Sequence, residues 1–191
     1  MAQNPNKPSI PPEATKVFQG ERWTIWQWQQ RMNDGSIETF EIPERADAIT
    51  AIAIKDYKIA FLNQVQIPSP ELFLCLPGGE VERGETNEQA LHRELLEETG
   101  CRAASIEYWK SYYPTNRLAY GFHYYIARDC AVVAPLTPDA GEHITVGWIT
   151  FEELFPLAFD ERFRHTDLSR DLMDMMIHPE KKQAFRILLG I

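Results

Sequence analysis

The chain has 191 residues and a formal net charge of −9, with 44% apolar and 25% charged residues. That length and apolar content support one full core, most simply a single domain with a decorated terminus. The acidic balance argues against a broad nucleic-acid or anionic-membrane surface, yet leaves phosphate-bearing small molecules open, because a bound metal inverts the local sign. Cys75, Cys101 and Cys130 are scattered without metal-type spacing, so neither a disulfide framework nor a structural zinc site is expected. Met1 to Thr15 is polar and proline-containing, unlike a signal peptide or anchor, and no apolar run approaches membrane-spanning length. A cytoplasmic protein is expected.

In chain order, residues 1–16 carry Pro5, Pro8, Pro11 and Pro12 and are expected to form a mobile tail. Residues 17–46 read as an N-terminal antiparallel β-hairpin. Trp23, Ile25, Trp26 and Trp28 mark one strand, Asn33-Asp34-Gly35-Ser36 the turn, and Ile37 to Ile42 the return. The tryptophans are expected in core packing or a subunit interface, with stacking of a purine on Trp26 or Trp28 as the alternative. Asp47 to Ile54 is apolar on both faces, as a buried central strand should be. Strands are expected again over 59–65, 72–76, 101–113, 118–128 and 144–149. Thr150-Phe151-Glu152-Glu153 fits a capping box opening a short helix, a helix is expected over 163–177, and Pro179 suits the first turn of a last one. This order is mixed α+β rather than strict βαβ alternation.

The chemistry concentrates between Leu76 and Cys101. Pro77-Gly78-Gly79 and Gly84 allow a sharp loop, and Thr86 to Gly100 reads as a helix that ends in a glycine C-cap. On a helix, residues three and four apart share a face, so Glu94, Glu97 and Glu98 crowd together while Ala90, Leu91 and Leu95 can face a core. Such like charges repel unless a counter-charge sits there, and hard divalent cations suit carboxylate oxygens. A solvated acidic face is the plainer alternative for Glu97-Glu98 alone.

Gly79, five residues, Glu85, seven residues, Arg93-Glu94-Leu95, one residue, Glu97-Glu98, one residue, then Gly100 and Cys101 resembles the Nudix box. Only Cys101 departs, standing where an aliphatic residue is usual, and cysteine packs as a small apolar group. The resemblance implies an α/β/α sandwich with a mixed sheet and hydrolysis of a nucleoside diphosphate linked to another moiety. It implies Mg²⁺, with Mn²⁺ as an alternative, held by Glu94, Glu97, Glu98 and the Gly78 carbonyl. Glu85 would support the metal from an outer shell or stabilise the helix N-terminus. Arg93 would orient a carboxylate, and Glu142, on a later loop, would be the general base or an ordinary solvated glutamate.

The N-terminal hairpin resembles that of ADP-ribose pyrophosphatases, which implies a homodimer, residues 47–191 as the catalytic domain, and a small nucleotide substrate bound near Gly79. Pro114 lies near the place where that branch carries a proline. Gln64-Val65-Gln66 stands where those relatives show a Gln-Tyr-Arg-like stretch, so the phosphate-binding arginine of that branch is either replaced, with Arg117 as the candidate, or not needed. A nucleoside triphosphate pyrophosphohydrolase and a non-catalytic nucleotide sensor are the alternatives.

Overall fold

The computed structural model describes residues 8–191, so the first seven residues of the expected tail lie outside it. Strand β1 (Thr15–Gln19) begins inside that expected tail and joins β2 (Thr24–Arg31) and β3 (Ile37–Glu44) in a three-stranded antiparallel sheet. The hairpin is β2–β3, with Trp28 opposite Phe40. Its turn is held by Met32 N–H to the Ser36 carbonyl at 2.8 Å, and Gly35 supplies a φ of +89°. Trp28 is buried against Ile42 and Ala119. Trp26 donates its indole N–H to Glu44 at 2.6 Å.

The main sheet contains β4 (Ala48–Lys55), β5 (Lys58–Gln66), β6 (Ser69–Cys75), β8 (Ser105–Tyr112), β9 (Phe122–Arg128) and β11 (Glu142–Ile149). Its path runs β11-β5-β4-β9-β8, with β6 on β5. The β4–β9 pair is parallel and the others antiparallel, so the sheet is mixed. β4 pairs with β5 only near their shared turn, at Ile54↔Ile59 and Lys55↔Lys58. Beyond that point β5 takes β6 instead, and the freed edge of β4 accepts the glycine loop.

Alternation along β4 divides the core. Ile49, Ala51 and Ala53 meet Ala90, Leu91 and Leu95 of α1 (Asn87–Thr99). Ile52 and Ile54 face the opposite layer. That layer holds α2 (Phe151–Leu154), a 3₁₀ turn over Phe155–Phe159, α3 (Thr166–Ile177) and α4 (Pro179–Leu189). The result is the expected α/β/α sandwich. Among the described residues no helix is long and apolar enough to cross a membrane.

Three expected elements are shorter than the sequence suggests, each because backbone bonding is diverted. The strand expected over 101–113 divides into β7 (Cys101–Arg102), which pairs with β10 (Ala131–Val132), and β8. The strand expected from Leu118 starts at Phe122, because the Ala119 N–H bonds the Pro43 carbonyl at 2.9 Å and turns the chain toward the N-terminal sheet. The helix expected from Phe163 starts at Thr166. Before it, Arg162 and Arg164 bracket Leu74 with backbone hydrogen bonds of 2.8 and 2.9 Å, so this stretch runs alongside β6 rather than starting a helix.

Candidate active site

The loop from Leu76 is stitched to β4. Ala51 N–H bonds the Pro77 carbonyl at 2.7 Å, Ile49 N–H the Gly79 carbonyl at 2.9 Å, and Val81 N–H the Asp47 carbonyl at 2.9 Å. The helix that follows is closed at both ends. Thr86 and Gln89 form a reciprocal capping box, and Gly100 at φ +67° ends it with an N–H to the Leu96 carbonyl.

His165, at the threshold of α3, fastens the loop from the other side. Leu76 N–H donates to its Nε2 at 2.8 Å, so Nδ1 carries the ring proton and reaches the Tyr124 hydroxyl at 2.6 Å. Burial pushes the imidazole down to about 4, well below its ordinary 6.5. A lowered histidine contributes stability that is complete above its unfolded value and is lost as pH falls from about 6.5 toward 4. Urea unfolding of the parent and of His165→Gln, compared across that window, should show an excess loss in the parent on the order of 2 kcal/mol. Parallel pH curves would remove His165 from the acid response.

The carboxylates of α1 are of two kinds. Glu98 is 3% exposed and accepts the Gly78 N–H at 2.7 Å. Burial holds its carboxyl well above the ordinary range. Burial also lifts Glu94 up to about 7, outweighing Arg93 beside it. Glu97 and Glu85 lie further out. Arg93 binds Glu85, Glu94 and Glu97: Nε and Nη2 grip Glu85 at 3.0 Å each, while Nη1 reaches Glu94 at 2.7 Å and Glu97 at 3.2 Å. Its remaining donor goes to the Glu80 carbonyl at 3.1 Å. The hydrogen bonds from Arg93 lower the Glu85 carboxyl, which also accepts the Glu82 N–H at 3.0 Å.

Glu94, Glu98 and Arg93 border a cleft of about 540 Å³, whereas Glu97 and Glu85 are not among the residues that line it. Gly78, Gly79, Gln64, Gln66, Phe73, Cys75 and Glu142 line it too, with Arg22, Arg45 and Arg164 among the rest. Glu142 stands at the first residue of β11, opposite Gln66 in register, and accepts its amide N–H at 2.6 Å. Burial, then Asp139, raises its carboxyl. The chain thus brings Glu142 from a distant loop to the same cleft as Glu94 and Glu98.

Trp26, Trp28 and Arg117 are not among the cleft-lining residues. Both tryptophans are spent in the N-terminal sheet, and Arg117 is exposed with its guanidinium 5.5 Å from the Phe40 ring. The cations in the cleft are others, which the sequence reading missed. Arg45 pairs with Glu80 at 3.1 Å and lies 4.3 Å from the Tyr120 ring, and Arg22 approaches Glu80 at 3.8 Å. Arg45 lies three residues before β4, and that position is the one signal the sequence offers for it.

The donor chemistry fits a hard divalent cation. The proposed side-chain donors are all carboxylates, and burial raises the carboxyls of Glu94 and Glu98. Gly79 is shaped around them, since a Cβ there would lie 2.2 Å from Glu94 Oε1. Among the described residues no three His, Cys, Asp or Glu side chains already converge as a cage. Arg93 instead bridges Glu94 and Glu97.

The NUDIX domain family model matches residues 44–172. The ADP-ribose pyrophosphatase of Bacillus subtilis (strain 168) is 26% identical over 146 residues, 75% of this chain and 79% of that protein. The 8-oxo-dGTP diphosphatase of Haemophilus influenzae is 46% identical over 53 residues, 26% of this chain and 39% of that one. A crystal structure of an ADP compounds hydrolase superposes with a TM-score of 0.70 at 17% identity, covering 95% of this chain and 100% of the other, a likeness of fold. The box spacing, the sandwich and the family match over most of the chain agree: this protein belongs to the NUDIX family and is a pyrophosphohydrolase.

Proposed function

We propose that the enzyme is a Mg²⁺-dependent hydrolase of a nucleoside diphosphate sugar, ADP-ribose in the first place, yielding a nucleoside monophosphate and a sugar phosphate. One observation carries the reading: a single cleft sets the buried pair Glu94 and Glu98 and the separate carboxylate Glu142 beside arginines from three other segments. That is the charge pattern a dianionic diphosphate with a bound cation requires.

Glu94, Glu97, Glu98 and the Gly78 carbonyl would hold Mg²⁺, or Mn²⁺ in its place. When bound, the metal neutralises the diphosphate oxygens and lowers the pKa of a coordinated water. The protein's own part is positional. Arg93 keeps the carboxylates from repelling one another apart, and Glu85 anchors Arg93. Glu142, kept basic by burial and aimed by Gln66, takes the proton of the attacking water. We place the enzyme in the cytoplasm as a homodimer. The exposed Val17, Phe18 and Ile37 of the N-terminal sheet give a second copy an apolar surface to cover.

The short match to the 8-oxo-dGTP diphosphatase favours a second reading, triphosphate hydrolysis, but it spans 26% of the chain against 75% for the ADP-ribose pyrophosphatase. A nucleotide sensor would be expected to have shed box carboxylates, and all are present. The test is phosphatase-coupled phosphate release across nucleoside diphosphate sugars, dinucleotides and nucleoside triphosphates, with Mg²⁺ and with chelator. Chelator-sensitive turnover of ADP-ribose, at least tenfold above any triphosphate, is the expected result. A triphosphate preference would discard the substrate, and tight binding without turnover would favour the sensor.

A further inference from the structure

We infer that Arg164 is the side chain that takes a phosphate oxygen of the substrate in this cleft. The inference rests on the cleft being a phosphate-ester site, but not on ADP-ribose being the ester. Four observations lead to it. First, Arg164 lines the cleft together with Glu94, Glu98 and Glu142. Second, its backbone is fixed: Arg164 N–H bonds the Leu74 carbonyl at 2.9 Å, and the next residue, His165, holds Leu76 at the start of the glycine loop.

Third, the guanidinium is located by stacking rather than by charge. Its central carbon lies 3.4 Å from the centre of the buried Phe73 ring. A guanidinium carries its N–H donors in its own plane, so a cation resting on an aromatic face keeps them available for a second partner. Fourth, each of the other cleft arginines has a carboxylate within ion-pair distance. Arg93 is shared among Glu85, Glu94 and Glu97, and Arg22 and Arg45 both approach Glu80. Among the described residues Arg164 has no carboxylate within ion-pair distance. The neighbouring position where an arginine could have served, Gln66 on β5, is neutral and spends its amide on Glu142.

An acidic cleft that must admit an anion needs a cation whose charge is not already cancelled, and a planar fork matches phosphate oxygens with two donors. The experiment is calorimetric binding of inorganic pyrophosphate and of ADP-ribose, with chelator present so that nothing turns over, to the parent, Arg164→Met and Arg164→Lys. Met keeps an apolar stem over Phe73 and removes only the charge and the fork. Arg164→Met should weaken both anions about tenfold or more, and Lys should recover part of that loss. With Mg²⁺ and whichever substrate is turned over, KM should rise by a similar factor while kcat stays within about twofold of the parent.

Unchanged affinity in Arg164→Met, or no measurable binding of either anion by the parent, would overturn the inference. Weakened pyrophosphate binding in an enzyme that leaves ADP-ribose intact would uphold Arg164 while removing the proposed substrate. A fall in melting temperature in Met and Lys alike, with affinity unaltered, would reduce Arg164 to a cover for Phe73.

Discussion

Glu98→Gln should lower kcat roughly a thousandfold, about 4 kcal/mol of transition-state stabilisation, while leaving the fold at least as stable as the parent. The two halves have one cause. Glu98 is nearly sealed from water, and a charge there is unfavourable unless a cation compensates it. An amide of the same shape still accepts the Gly78 N–H through its oxygen, so the contact at 2.7 Å survives and the desolvation cost of the charge disappears. What is lost is the anionic oxygen that the proposed Mg²⁺ site would use. Thermal melts with and without Mg²⁺ separate these effects: the parent should gain stability on adding metal and the variant should gain much less. Parent-like kcat together with an undiminished Mg²⁺ response would show that Glu98 is a loop anchor and nothing more.

The second large effect is expected at Gly78→Ala. A Cβ at this residue would lie 2.1 Å from the Ile49 carbonyl oxygen and 2.8 Å from Thr50 Cα, at a φ of +153° that side chains rarely adopt. Both neighbours are backbone of the central strand, which cannot step aside as a side chain could. A loss of about 2–4 kcal/mol follows from overpacking and backbone strain together. For a domain of this size that corresponds to a fall in melting temperature of roughly 5–15 °C. Gly84→Ala is the control, because φ is +95° there but nothing lies within 4 Å of the added carbon. It should cost only about 1–2 kcal/mol, from the left-handed conformation alone. Equal melting temperatures for the two variants would mean that the loop moves off β4 freely.

The comparison of the two glycines also shows what was legible in the sequence. The box spacing placed α1 between a capping threonine and a glycine stop, and the structure closes it at both. It was legible because helix periodicity and caps are local. The alternation of β4 was legible for the same reason, since apolar residues on both faces admit only a central position. β1 was not, because Thr15–Gln19 follows a run of prolines and is exposed throughout, so no buried stripe marked it. The tryptophans of β2 signalled aromatic content but not direction, and the sheet pairing turned Trp28 inward. Arg117 is only a nearby candidate for the arginine missing at Gln66, whereas Arg164 reaches the cleft through a backbone pairing with Leu74 that bridges ninety positions of chain (164 − 74). Glu142 was nominated from its loop, but its closeness to Gln66 depends on the β11–β5 register.

The glycine loop replaces a neighbouring strand along the edge of β4, and this has a bearing on how the gene can vary. Its backbone completes the main sheet and also shapes the chemical site, so a change there alters abundance and turnover together. A variant library sorted only for soluble expression would therefore mark Gly78 as intolerant without any substrate in the cell. The same sort would pass Glu98→Gln unnoticed. Comparing the two kinds of selection would distinguish the positions kept for architecture from those kept for catalysis, within one stretch of twenty-odd codons.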